Sequence, residues 1–180
     1  VFLLHSYSEF LRDLIAYAMH RAKYVLAVSE HQKRQILLNK MVCNPVVVGN
    51  MIDDDLFTIK NYKKDVFNIL VITYPHYIKD NATLFKAIKI LMTNQVRDFK
   101  VSIIGGDNER TELINHENPL YKQAESYGVL EFVEILNQVE REKLPEIINK
   151  SDLLVSTSIA ETFGIACCEA MMCGVPVIAT

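Results

Sequence analysis

Short runs rich in Val, Ile and Leu recur along this chain without polar alternation, each followed by a segment of helical spacing, and that regularity limits the fold most. The runs fall near residues 24–29, 46–48, 68–73, 99–104, 132–136, 152–156 and 175–179. Helical spacing falls near 8–22, 30–40, 82–93, 109–127, 140–149 and 163–173. A strand that is apolar on both faces is covered on both, as in a parallel sheet whose crossover helices lie on each side. The expected class is therefore α/β, a Rossmann-like parallel sheet. The segment 82–93 tests this: Leu84, Phe85, Ile88, Leu91 and Met92 share one helical face, with Asp80 and Asn81 available as caps. One boundary is expected between Val48 and Lys64, where Gly49-Asn50, three aspartates and a cluster of lysines interrupt the apolar pattern.

The most specific chemistry lies at the end of the chain. Ser156-Thr-Ser-Ile-Ala-Glu161-Thr-Phe-Gly-Ile-Ala-Cys-Cys-Glu169-Ala-Met-Met-Cys-Gly174-Val-Pro-Val-Ile-Ala-Thr180 sets two carboxylates, with seven residues between them, in apolar sequence. From Ile165 to Cys173 the one polar side chain with a charge is Glu169. An unpaired ion there would cost several kcal/mol or take up a proton. Either the fold supplies a donor, such as a neighbouring backbone amide, or a ligand does. Asp152-Leu-Leu-Val-Ser reads as a buried strand, 156–162 as the loop at its carboxyl end, and 163–173 as a helix with Gly164 in its first turn. In open α/β sheets that crevice takes ligands, and the free N–H groups of a helix start suit phosphate.

With its flanks, this segment resembles the Glu-x7-Glu signature of the retaining nucleotide-sugar glycosyltransferases of the GT-B fold, most closely glycosyltransferase family 4. Further segments resemble the family in its order: Val25-Leu-Ala-Val-Ser29-Glu-His-Gln-Lys-Arg34, Val46-Val-Val-Gly-Asn-Met-Ile-Asp53-Asp-Asp-Leu-Phe57, Asn68-Ile-Leu-Val-Ile-Thr73 followed by Lys79, Val101-Ser-Ile-Ile-Gly-Gly-Asp107, and Leu144-Pro-Glu-Ile-Ile-Asn-Lys-Ser-Asp152-Leu-Leu-Val. The resemblance implies that residues 1–50 are the tail of an amino-terminal, acceptor-side Rossmann-like domain and residues 51–180 a carboxyl-terminal nucleotide-sugar-binding domain. Both would be incomplete, and the chain by itself inactive in transfer.

The same resemblance implies roles. Glu169 accepts hydrogen bonds from the nucleotide ribose, Glu161 holds hydroxyls of the transferred sugar as the catalytic carboxylate, and Thr162, Phe163 and Gly164 offer backbone N–H groups to sugar and pyrophosphate. Lys79 neutralises the diphosphate leaving group. His5, at the end of Val1-Phe-Leu-Leu-His5, resembles a strand-end histidine facing the sugar, although a strand-end histidine satisfied by backbone is the commoner case. Where the family has Gly-Arg, this chain has Thr73-Tyr74, so one pyrophosphate cation is missing. Loss of a bidentate guanidinium near developing charge costs on the order of 2–4 kcal/mol if uncompensated. Tyr74 offers a hydrogen bond without charge. His76, when protonated, is a replacement cation or else an exposed loop residue, and Gly105-Gly106 is a turn or a close approach to the ligand.

The resemblance implies transfer of a sugar from a nucleoside diphosphate donor to a glycan, lipid or small-molecule acceptor, with no metal and no cofactor beyond the donor. The alternatives are a related GT-B epimerase or phosphorylase, or a degenerate nucleotide-sugar-binding module. Composition agrees: 180 residues, 50% hydrophobic, suffice for one to two α/β units. A net charge of −3 without a basic aromatic stripe excludes a general nucleic-acid binder. No apolar run reaches the ~18–20 residues of a membrane span, and no signal peptide is visible. Cys43, Cys167, Cys168 and Cys173 lack metal-ligand spacing and read as buried thiols of a reducing, cytoplasmic compartment. Membrane contact, if any, would be peripheral and made through the amino-terminal domain. The sequons at Asn81 and Asn149 need no glycan.

Overall fold

The computed structural model describes residues 9–38, 44–105, 118–136 and 138–180, with side chains from residue 13 onward. Contacts divide the chain into two compact units, Val1–Met51 with Glu161–Gly164, and Ile52–Ala160 with Ile165–Thr180.

In the first unit, α1 (Glu9–Arg21), β1 (Leu26–Ala27), α2 (Glu30–Leu38) and β2 (Val46–Val47) follow in order. β1 and β2 pair in parallel, Leu26 opposite Val46 and Ala27 opposite Val47. Ala27 and Ile36 are its buried centre, flanked by Ile15, Met19 and Val47. Ser29 starts α2 by accepting the Gln32 N–H at 3.1 Å, while the Gln32 amide oxygen accepts the Val28 N–H at 2.8 Å. The pair satisfies one N–H that the helix start leaves open, that of Gln32, and one on the approach to it, that of Val28.

The second unit is a five-stranded sheet of order β5-β4-β3-β6-β7. Its elements are β3 (Phe67–Ile72), α3 (Asn81–Thr93), β4 (Phe99–Ile104), α4 (Pro119–Tyr127), β5 (Val133–Leu136), α5 (Leu144–Asn149), β6 (Leu153–Ser156), α6 (Ile165–Met172) and β7 (Val177–Ala179). All four pairings are parallel. The absence of polar alternation has a direct cause: successive residues of β3 feed two cores. Ile69 and Val71 enter one core with Leu84, Phe85, Ile88, Val101 and Ile103. Leu70 enters the other with Phe57, Ile148, Leu154 and Ala170. At ~1.5–3 kcal/mol for each large side chain fully buried, both faces contribute to stability.

The sequence expectations differ from the fold in four places. The expected helix 163–173 begins only at Ile165, because Gly164, expected in its first turn, adopts φ 82° and lies before it. Asp80 alone caps α3, accepting the Thr83 N–H at 3.3 Å and the Thr83 hydroxyl at 2.6 Å. Asn81 is buried instead. The expected helix 140–149 is a 3₁₀ turn, Arg141–Lys143, leading into α5, because Pro145 fits only the first turn of an α-helix. Likewise α4 begins at Pro119, capped by Asn118, which accepts the Leu120 N–H at 2.9 Å, and ends at Gly128 with φ 67°. Residues 109–117 of the expected helix lie outside the described residues, as do His5, Cys43, Gly106 and Asp107. Among the described residues no helix is long and apolar enough to cross a membrane.

Candidate functional site

A parallel sheet directs the carboxyl ends of its strands to one edge, and in the second unit the loops after β3 and β6 are tied together there. The Ile159 N–H donates to the Ile78 carbonyl at 2.8 Å, and the Thr157 hydroxyl donates to the Lys79 carbonyl at 3.0 Å. Lys79 is thus carried on a backbone fixed to the neighbouring loop. The turn leaving β3 is fixed separately. The Thr73 hydroxyl donates to Asn81 Oδ1 at 2.8 Å, and Asn81 Nδ2 donates to the Tyr74 carbonyl at 3.1 Å. Both amides of the two sequons are consumed this way, since Asn149 is also buried and binds Lys60, Thr58 and Pro145 backbone.

Gly105 follows β4 with φ 150°, and a Cβ there would stand 1.6 Å from the Thr73 carbonyl oxygen. The Thr73 N–H donates to the Ile104 carbonyl at 2.9 Å, so the ends of β3 and β4 meet at this point. Neither sequence reading, a turn or an approach to the ligand, names this cause: the glycine is required by the approach of the Thr73 backbone.

Between Thr73 and Lys79 the loop is aromatic. The Tyr74 ring lies 5.7 Å from His76, and His76 lies 4.7 Å from Tyr77. Lys79 Nζ stands 5.4 Å from the Tyr74 ring centroid, within cation–π range. Tyr74, half exposed, therefore presents a π-face to the one cation where a second cation was expected. His76 caps the 3₁₀ turn Tyr77–Lys79, its Nδ1 accepting the Ile78 N–H at 3.4 Å.

Glu169 sits in the second half of α6 with 3% of its side chain exposed. The fold supplies its donor: Arg141 Nη1 binds Glu169 Oε1 at 2.9 Å. The guanidinium also lies 5.1 Å from the centre of the Phe57 ring, which is fully buried. The sequence reading missed Arg141. The available signal was topological, since the loop after β5 emerges at the same edge of the sheet as the loops after β3 and β6.

Tyr74, Lys79 and Glu169 belong to the sheet unit, whereas Glu161, Thr162, Phe163 and Gly164 group by their contacts with the first unit. Glu161 is exposed, and Gly164 adopts φ 82° directly before α6. An apolar hollow of about 600 Å³, lined by residues such as Phe67, Leu84, Leu91, Phe99 and Ile178, has Asp98 as its sole ionisable lining residue. It lacks the convergent polar groups that orient a nucleotide. Cys173 belongs to the second core, and burial pushes its thiol pKa up.

The five-stranded parallel sheet with its crossover helices is a Rossmann-like domain of the GT-B type. Solved structures agree on the fold. Anabaena HepE, determined in complex with UDP and glucose, superposes with a TM-score of 0.77 at 20% identity over 97% of this chain and 49% of its own. Sucrose-phosphate synthase from Thermosynechococcus elongatus gives 0.76 at 22% identity over 96% of this chain and 44% of its own. The sequence profile described as "Glycosyl transferases group 1" matches residues 53–180, and the chain belongs to that family. A curated relative, mannosylfructose-phosphate synthase of Agrobacterium fabrum, is 34% identical over 77 residues, 43% of this chain and 17% of that enzyme. The chain thus spans less than half the length of each of these three relatives.

Proposed function

We propose that the protein is a retaining glycosyltransferase of family 4 that binds a nucleoside diphosphate sugar through residues 51–180, with residues 1–50 the tail of its acceptor-side domain. The observation that carries this reading is Glu169, a carboxylate buried in an apolar helix face and joined to a half-exposed arginine, within the residues matched to the family. Glu169 accepts from the ribose hydroxyls. Lys79 meets the diphosphate: as the bond between the anomeric carbon and the phosphate oxygen breaks, both electrons go to that oxygen, and a nearby ammonium lowers the barrier by stabilising the growing charge. Glu161 holds sugar hydroxyls, and the N–H groups of Thr162, Phe163 and Gly164 contact sugar and pyrophosphate. The acceptor is a carbohydrate or a lipid.

Titration calorimetry with UDP, GDP and ADP tests the donor site. One of them binds the wild type, and Glu169→Gln weakens it by about 10–100-fold, the worth of charge-assisted hydrogen bonds. Unchanged affinity in a folded Glu169→Gln protein overturns the ribose role.

A second reading, a nucleotide-sugar-binding module without transfer activity, is favoured by Tyr74 in the family's arginine position. Donor hydrolysis separates the two: release of nucleoside diphosphate from the cognate donor supports the enzyme, and binding without release supports the module.

A further inference from the structure

The following rests on the donor-site reading above and deepens it. A carboxyl group turns about a broad two-fold torsion, so burial alone does not aim its oxygens. Glu169 needs something to fix that rotation, and Arg141, 28 positions upstream, bonds to it. The contact runs from Nη1 to Oε1. A carboxylate has about four lone-pair sites on two oxygens, so this bond leaves acceptor capacity for a diol.

Arg141 is itself held. Its guanidinium lies over the buried Phe57 ring, and its two-sided contact with ring and carboxylate defines the side chain's path. Its neighbours do not compete for Glu169: Lys143 pairs with Glu140 at 2.7 Å. Half of the Arg141 side chain is exposed, so the pair reaches from the core to the surface. Pairing also cancels the carboxylate charge in a site that is to receive an anionic diphosphate, where an unpaired carboxylate would repel the ligand.

We propose that Arg141 is the positioning residue of the nucleotide site: it holds Glu169 in the orientation that accepts the ribose hydroxyls, and so sets the preference for ribonucleotides over 2′-deoxyribonucleotides. Lysine would supply the charge at one point but not the planar fork, and is a partial substitute. Methionine keeps the apolar stem over Phe57 and removes the charge.

The test is the ratio of affinities for UDP, GDP or ADP, whichever binds, and its 2′-deoxy counterpart, measured by calorimetry. That ratio is insensitive to a partly unfolded sample, because an unfolded fraction lowers both affinities alike. Wild type prefers the ribonucleotide by about tenfold or more. Arg141→Met brings the ratio near one, Arg141→Lys recovers part of it, and Arg141→Met with Glu169→Gln is no worse than Glu169→Gln alone. If Glu169→Gln loses the preference while Arg141→Met and Arg141→Lys keep it, Arg141 does not position the carboxylate and the donor-site reading stands. A preference retained in Glu169→Gln, or a wild type that binds none of the nucleotides, removes the ribose role and this inference with it. Should Arg141→Met fail to fold, Arg141→Lys and Arg141→Gln carry the comparison.

Discussion

Replacing Gly105 by alanine should disrupt the sheet edge that carries the proposed nucleotide site. The new Cβ falls 1.6 Å from the Thr73 carbonyl oxygen and 2.6 Å from its carbon, so the two strand ends must part by about 1.8 Å to reach an ordinary contact near 3.4 Å. Neither atom is the end of a flexible side chain. Parting the backbones strains or breaks the 2.9 Å bond from the Thr73 N–H to the Ile104 carbonyl, worth about 1 kcal/mol. Overpacking adds about 1–3 kcal/mol, and φ 150° in an L-residue about 1–2 kcal/mol. The sum is about 3–6 kcal/mol, or roughly 6–24 °C in Tm for a domain of this size. Gly128→Ala in the same unit is the control: its φ of 67° is also positive, but the nearest atom to a new Cβ is Lys89 Nζ at 3.4 Å. That variant should lose only about 1 kcal/mol. Scanning calorimetry of both proteins measures the difference, and equal melting temperatures would refute the backbone contact as the reason for Gly105.

Asn149→Ala removes bonds to Lys60 N–H at 2.7 Å, the Thr58 carbonyl at 3.0 Å and the Pro145 carbonyl at 2.8 Å, and should cost about 2–4 kcal/mol in urea unfolding. Lys79→Ala should lower nucleoside diphosphate affinity by about 10–100-fold and leave the affinity for the bare nucleoside nearly unchanged, because the ammonium acts on phosphate. Tyr74→Arg should preserve or raise diphosphate affinity, and a folded Tyr74→Arg protein that has lost it would show that the loop geometry excludes a second cation. Burial raises the Cys173 pKa, so the folded thiol keeps its proton after the unfolded one has lost it. Its stability contribution is full below the ordinary thiol value of 9.0 and falls as pH rises above it. Urea midpoints should therefore drop more between pH 7.5 and 10 in wild type than in Cys173→Ala.

What was legible in the sequence follows from how local each cause is. The strand pattern survived because β3 needs apolar residues at consecutive positions, Ile69, Leu70 and Val71, to fill two cores, and that requirement is written in adjacent letters. Helix ends shifted where one residue had two available uses. Asn81 could have capped α3, but the Thr73 hydroxyl and Tyr74 carbonyl engage it and Asp80 takes the cap. His76, read as a replacement cation or an exposed loop residue, has a third use that the sequence did not show, as the cap that accepts the Ile78 N–H. Glu169 was recognisable as constrained because a charge in an apolar helix must be answered. Its partner was not, because a pair 28 residues apart leaves no spacing signature.

The buried polar side chains of the sheet unit divide by what answers them. Asn81 and Asn149 are tied to backbone groups that would otherwise lose their partners, so each repays its burial by fixing a turn or a linker, and stability alone explains them. Glu169 differs. Its partner is the side chain of a half-exposed arginine, and its neighbours in the core, Ala170, Cys173 and Ile148, already show that this region packs with apolar groups. Replacing a buried ion pair by apolar residues of similar volume is often neutral or stabilising, so folding does not require a carboxylate at this position. The proposed ligand, a ribose diol, needs its acceptor oxygens. On the proposed reading, Arg141 answers the charge of Glu169 and the carboxylate's remaining lone pairs are what a ribose diol would engage.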